Sequence, residues 1–277
     1  MTYDVVKIGI VGMGHVGPHA ASALINWGVA DVIYVSDIDE KKAQAEQLDL
    51  MDSTAFLPRP TRVISVGADY EVLARADVII NAAGDITKVA TNRDGELYGT
   101  TDIARTFVGR IAAAGFEGFW INVSNPCDVV TRLVHELSGL PSNHVLGTGT
   151  SLDSARLRRA ISQRTGLSIQ SIDAYMLGEH GASEVAAFSQ VSIAGKPLAE
   201  LAVERPGRFG FSGDDVERDG LNGGYDIYNT KHCTEYGIGA AAARLAAAIV
   251  RGERTVLPAS VYLCGQYGQS GFYISTP

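Results

Sequence analysis

Gly178-Glu179-His180-Gly181 closes an apolar stretch and holds an imidazole between small residues, where a turn can present it to a cleft. Histidine titrates near neutrality and suits proton transfer. Asp153 is the candidate partner, because an acid bonded to the ring nitrogen away from substrate fixes the tautomer and stabilises the imidazolium. Arg156 follows Asp153 by three residues, on the same face of a helix. A guanidinium there can grip a carboxylate through two parallel hydrogen bonds. Arg93 falls in a polar stretch flanked by Gly84 and Gly95, a segment able to close over substrate and exclude water. Each residue alone has a plainer reading: a turn histidine, a surface helix arginine such as Arg158 or Arg159, an exposed loop arginine.

A second constellation opens the chain. Residues 5–11 read as a buried strand and lead into Gly12-Met13-Gly14-His15-Val16-Gly17. A helical run, a second apolar run at 32–35 and Asp37 follow. Gly12 allows the tight turn, Gly14 admits a pyrophosphate to the backbone, and Gly17 lets the helix close on the strand. The phosphates then meet unpaired N–H groups at a helix N-terminus. Asp37 suits an adenosine ribose and would repel a 2′-phosphate, which favours NAD over NADP. In this strand–turn–helix–strand–acid setting the glycine pattern is a strong signal.

These residues need a scaffold that gathers them. Short β-rich runs near 62–66, 77–82 and 119–124 alternate with helical stretches at 40–53 and up to Ala114. Such alternation predicts a parallel sheet with helices on both faces and ligands beyond the strands' carboxyl ends. Past residue 145 the pattern changes. A helix is expected over 148–164, strands near 171–177 and 185–193, a glycine-rich loop over 204–224, an Ala-rich helix over 234–250, and strands near 255–263 and 271–275. The expected fold is α/β: a Rossmann-type doubly wound parallel sheet at 1–145, followed by an α+β substrate domain at 146–277.

Composition narrows the function classes. A net charge of −8 argues against a nucleic-acid surface, so an anionic substrate must find local positive charge. The three cysteines show no metal or redox spacing, which predicts free thiols, no metal and a reducing compartment. The early first strand and the lack of a long apolar run predict a soluble, cytoplasmic protein without a signal peptide or membrane partner.

Five collinear runs together resemble the lactate/malate dehydrogenases. They are Gly12 to Gly17, Asp37, Val123-Ser124-Asn125-Pro126, Gly147 through Arg156, and Leu177 through Gly181. The resemblance implies an NAD-dependent L-2-hydroxy-acid dehydrogenase, exchanging a hydride between NAD(H) and a 2-hydroxy or 2-oxo acid. It implies that His180 donates and accepts the proton, Asp153 orients it, Arg156 binds the substrate carboxylate and Arg93 polarises the carbonyl. Asn125 would contact the nicotinamide and the substrate oxygen, and Thr234 would stand on the substrate side. A dimer or tetramer is implied, as are a further strand and a long helix beyond Pro277.

The resemblance also locates a specificity position at Thr87, six residues before the loop arginine. Malate enzymes place arginine there, and threonine brings no charge for a second carboxylate, although Lys88 is adjacent. Gly223-Gly224 and Gly84-Asp85-Ile86 resemble the L-2-hydroxyisocaproate branch and suggest a roomy pocket for a monocarboxylic acid. The glycines could equally serve a loop turn. Where the bacterial lactate branch binds a sugar bisphosphate through an arginine and a histidine, this chain has Arg158 but Asp173, so indifference to that effector is expected. The alternatives are a malate dehydrogenase and a catalytically impaired NAD-binding scaffold. A scaffold has no need of His180, Asp153, Arg156 and Arg93 together.

Overall fold

The computed structural model describes residues 5–84, 93–181 and 183–277, without the side chains of 93–95. The chain forms two compact units that are not contiguous in sequence. Residues through Thr148, Glu235–Thr255 and Ser260–Tyr273 make the first, and Gly149–Thr234, Val256–Ala259 and Ile274–Pro277 make the second.

The first unit is built on strands β1 (Lys7–Val11), β2 (Val32–Ser36), β3 (Arg62–Ser65), β4 (Val78–Asn81), β5 (Phe119–Asn122) and β6 (Val145–Gly147). Between them run α1 (Val16–Asn26), α2 (Glu40–Thr54), α3 (Arg93–Ala113) and α4 (Cys127–Ser138). The six strands pair in parallel in the order β3-β2-β1-β4-β5-β6. Reversal of strand order beside β1 is the doubly wound arrangement that places ligands at the carboxyl ends. Every residue of β4 is buried, as expected for a strand covered on both faces. Trp120, Phe107 and Phe116 anchor the core on one face.

The second unit begins with α5 (Ser151–Thr165) and continues through β7 (Ile172–Asp173), β8 (Met176–Leu177), β9 (Val185–Ala186), β10 (Ser192–Ile193) and β11 (Lys196–Pro197). Helices α6 (Leu198–Glu204), α7 (Pro206–Phe209) and α8 (Gly213–Lys231) follow. The two longer strands expected here are broken into pairs, because β7 joins β10 while β8 joins β9. The expected loop over 204–224 is also corrected. Most of it is helix α8, with Ser212 capping it through Asp215 N. Its glycines cost helix propensity but meet α5. A β-carbon at Gly223 would stand 1.9 Å from Nη2 of Arg159, and one at Gly224 2.9 Å from Nη1 of Arg156. Packing of two helices through arginine side chains outweighs the local preference for a loop.

Helix α9 (Tyr236–Val250) and strands β12 (Ala259–Cys264) and β13 (Ser270–Thr276) complete the chain. The apolar face of α9 is covered in the first unit by α1, with Gly239 so close that a β-carbon would lie 2.8 Å from Cβ of His19. Strand β12 pairs antiparallel with β6, and β13 lies beyond it at the sheet edge.

Candidate active site

Two sets of the expected residues are each brought together. In the first unit, Gly12 has φ +93° and donates its N–H to Ser36 O at 2.8 Å. A β-carbon at Gly17 would lie 2.0 Å from Gly12 O, so the helix can begin there only with glycine. Nothing lies within 4 Å of the corresponding point at Gly14, which leaves the backbone open to a ligand. Helix α1 has no side-chain cap at His15 and no acid in its first turn. Its N-terminal N–H groups and positive dipole end therefore remain available to an anion. Asp37 Oδ2 accepts Met13 N–H at 2.7 Å and Oδ1 accepts Asp39 N–H at 2.9 Å, so the acid is tied to the glycine turn. Each carboxylate oxygen keeps a further lone pair for a hydroxyl donor. This cradle fits a dinucleotide.

Asn125 lies at the end of β5 in the same unit, exposed and followed by a cis peptide to Pro126. Two buried asparagines that the motif reading missed hold its loop. Asn81 Nδ2 donates to Asn122 Oδ1 at 2.9 Å, and Asn122 Nδ2 donates to Ser124 O at 2.9 Å. Ser124 Oγ donates to Ala83 O at 2.7 Å. The signal was a polar amide at the end of each of two apolar strands.

In the second unit His180, Asp153 and Arg156 converge. Asp153 is 5 % exposed near the start of α5. Thr150 Oγ1 donates to Met176 O at 2.5 Å, and Met176 N donates to Ser154 Oγ at 2.9 Å, which tether the start of α5 to β8. The turn from β8 to β9 then brings His180 back over Asp153. His180 Nδ1 lies 2.7 Å from Asp153 Oδ2. An ionised carboxylate only accepts, so Nδ1 carries the proton and Nε2 is the ring nitrogen suited to exchange one with a ligand. Burial would raise the Asp153 carboxyl, but the hydrogen bond and charge of His180, then Arg156, outweigh it and hold the group below its usual range.

Arg156 Nη1 donates to Asp153 Oδ1 at 2.7 Å. Its Nε is buried without a hydrogen-bond partner among the described residues. A buried guanidinium N–H left unpaired is costly, and a carboxylate ligand would satisfy it. The space a β-carbon would take at Gly224 is filled by this guanidinium, and that at Gly223 by Arg159. Both glycines therefore admit arginine side chains of α5, which corrects the expectation that the pair leaves open pocket volume. Thr234 is half-buried in the loop between α8 and α9. Thr87 lies outside the described residues; Arg93 begins α3, but its side chain is likewise outside them.

The family models agree with this division of labour. Residues 6–147 match the NAD binding domain of lactate/malate dehydrogenase, and residues 150–277 match its alpha/beta C-terminal domain. The chain belongs to the lactate/malate dehydrogenase family. It is accordingly an NAD-dependent 2-hydroxy-acid dehydrogenase. Among curated relatives, L-lactate dehydrogenase of Fusobacterium nucleatum is 43% identical over 272 residues, covering 98% of this chain and 85% of the relative. L-lactate dehydrogenase 2 of Enterococcus faecalis is 36% identical over the same shares. The crystal structure of the minor L-lactate dehydrogenase from Enterococcus mundtii in the ligands-bound form superposes with a TM-score of 0.92 at 38% identity. That match covers 99% of this chain and 86% of that one.

Proposed function

We propose that the chain interconverts an L-2-hydroxy and a 2-oxo monocarboxylic acid, lactate/pyruvate or a bulkier aliphatic pair. The observation that carries this is Asp153, which bonds His180 through one oxygen and Arg156 through the other. One buried acid thereby fixes both the proton-transfer group and the carboxylate anchor. Gly12, Gly14, Gly17 and Asp37 would hold NAD, with Asn125 toward its nicotinamide. When bound, NAD supplies the redox chemistry by exchanging a hydride with the substrate carbon. His180 takes the hydroxyl proton at Nε2 during oxidation and returns it during reduction. Asp153 stays ionised and stabilises the imidazolium. Arg156 offers Nε and its second terminal nitrogen to the substrate carboxylate. Arg93 and Thr234 are assigned to the carbonyl oxygen and the substrate side by their place in the motif.

Loss of NADH absorbance with pyruvate, 2-oxoisocaproate, phenylpyruvate and oxaloacetate in parallel tests the reading. The uncharged Thr87 favours the monocarboxylates. Oxaloacetate should trail the best of them by about 10²-fold in kcat/KM. Oxaloacetate as the preferred substrate would overturn the pocket assignment, and no turnover despite NADH binding would overturn the catalytic one.

Arg158 Nε donates to Ala174 O at 3.1 Å and its guanidinium lies over Tyr175, while Asp173 is exposed nearby. An engaged arginine beside an acid makes a poor phosphate site. Fructose bisphosphate is therefore expected to leave the rate unchanged, and strong activation would refute this. Family membership further supports a homodimer or homotetramer, read by light scattering. The three free thiols support a cytoplasmic location.

A further inference from the structure

Glu184 is a carboxyl that the dehydrogenase chemistry does not use. It stands at the end of the turn that carries His180, just before β9, and is only 5 % exposed. One of its oxygens, an oxygen of Asp153 and a ring nitrogen of His180 all lie within 4.8 Å of one another. Its Oε2 has no hydrogen-bond partner among the described residues. The charged groups that act on it are Asp153 and Arg156 from α5 and His180 from its own turn. Arg156 is already bonded to Asp153. Glu217 from α8 faces the same hairpin but is engaged by Ala186 N–H at 3.0 Å. A buried carboxyl beside an ionised carboxylate, without a cation of its own, keeps its proton.

We propose that Glu184 is a positioning residue, a neutral carboxyl that supports Asp153 and adds a second negative charge near His180 once its proton leaves. The inference rests on the proposed roles of Asp153 and His180. Burial first, then the Asp153 charge, push the Glu184 carboxyl up to about 8. In mildly acidic and neutral solution His180 therefore faces a single carboxylate charge, that of Asp153, which Arg156 also shares. In alkaline solution the second charge strengthens its hold on the proton needed for 2-oxo acid reduction. The two groups titrate as a pair, and the alkaline limb of the rate profile belongs to both.

The test compares the full chain with Glu184→Gln, which keeps shape and hydrogen-bonding capacity but cannot ionise. The alkaline limb of kcat/KM for pyruvate reduction should move down by about one pH unit in the variant, a tenfold change in proton affinity. A purely structural role would lower the rate by one factor at every pH and leave the limb in place. A second arm needs no turnover. A carboxyl raised from its ordinary 4.5 to about 8 holds, when folded, a proton that the unfolded chain has lost. It therefore destabilises the fold progressively as pH rises through that window, and the loss levels off above it. The melting temperature of Glu184→Gln should gain on that of the natural chain between those limits. A limb that does not move, or a melting difference indifferent to pH, overturns the proposal. If the natural chain reduced no 2-oxo acid, the reading of the site would fail, while the melting comparison would still decide whether Glu184 holds its proton.

Discussion

Asp153→Asn is expected to lower kcat for pyruvate reduction by about 10²–10⁴-fold. Asp153 accepts from His180 Nδ1 at 2.7 Å and from Arg156 Nη1 at 2.7 Å. Asparagine nearly preserves the volume but removes the charge and replaces one acceptor with a donor. If the amide NH₂ faces His180, it favours the tautomer with Nδ1 unprotonated, which puts the proton on Nε2 permanently. If the amide oxygen faces His180, the NH₂ confronts the Arg156 guanidinium. The first orientation fixes the wrong tautomer for proton exchange, and the second leaves a buried donor opposed to a donor. The imidazolium formed during oxidation also loses its counter-charge. The acid side of the pH profile supplies a control. Because Asp153 is held below the usual carboxylate range, it remains ionised throughout mildly acidic solution. The stabilisation it confers is present above the unfolded carboxyl's range and is lost only as pH falls through its own depressed value. An acid limb near the ordinary carboxylate value therefore does not belong to Asp153. A fall of less than tenfold in kcat would show that the imidazole needs no carboxylate behind it.

The contrast between Asp153 and Glu184 shows how far the residues could be read without coordinates. Asp153, His180 and Arg156 stood out because their types and spacing matched a chemistry and occurred in recognisable runs. Glu184 follows His180 by four residues, but glutamates are ordinarily exposed, and nothing in Ser183-Glu184-Val185 marks this one as buried. Burial is a tertiary property, set by the return of β9 against β8. The same limit explains α8. Its Gly220, Gly223 and Gly224 read locally as loop residues, yet the groove they leave on the helix is filled by Arg159 and Arg156. It explains the chain's return to the first unit as well. The run of alanines in α9 announced a helix but not its partner, which is α1, the helix that follows the glycine turn. The parallel sheet was legible because buried strands and turn glycines are local signals. The asparagine network under Asn125 was not, because Asn81 and Asn122 come from strands that pair only in the fold.

Arg156→Lys should raise KM for pyruvate by about 10²-fold, equivalent to roughly 3 kcal/mol of lost charge-assisted hydrogen bonding. Charge alone does not explain why arginine is needed. The guanidinium already spends Nη1 on Asp153, and its Nε lies buried without a partner among the described residues. It can hold the acid and a substrate carboxylate at once because its donors diverge from a rigid plane. A lysine ammonium is a single centre at the end of a flexible stem. It can pair with Asp153 or with substrate, but it cannot present two parallel N–H groups to a carboxylate while staying on the acid. Asp153 would capture it, since that carboxylate is buried and already placed. Gly224 sharpens the expectation, because the absence of a β-carbon there fits the planar group at 2.9 Å and would leave a gap around an ammonium. NADH affinity provides the internal control, as the glycine turn and Asp37 belong to the other unit. A raised KM with NADH binding intact identifies Arg156 as the substrate anchor. A fall in kcat at unchanged KM would instead make Arg156 a brace for Asp153, and the substrate carboxylate would then need another cation.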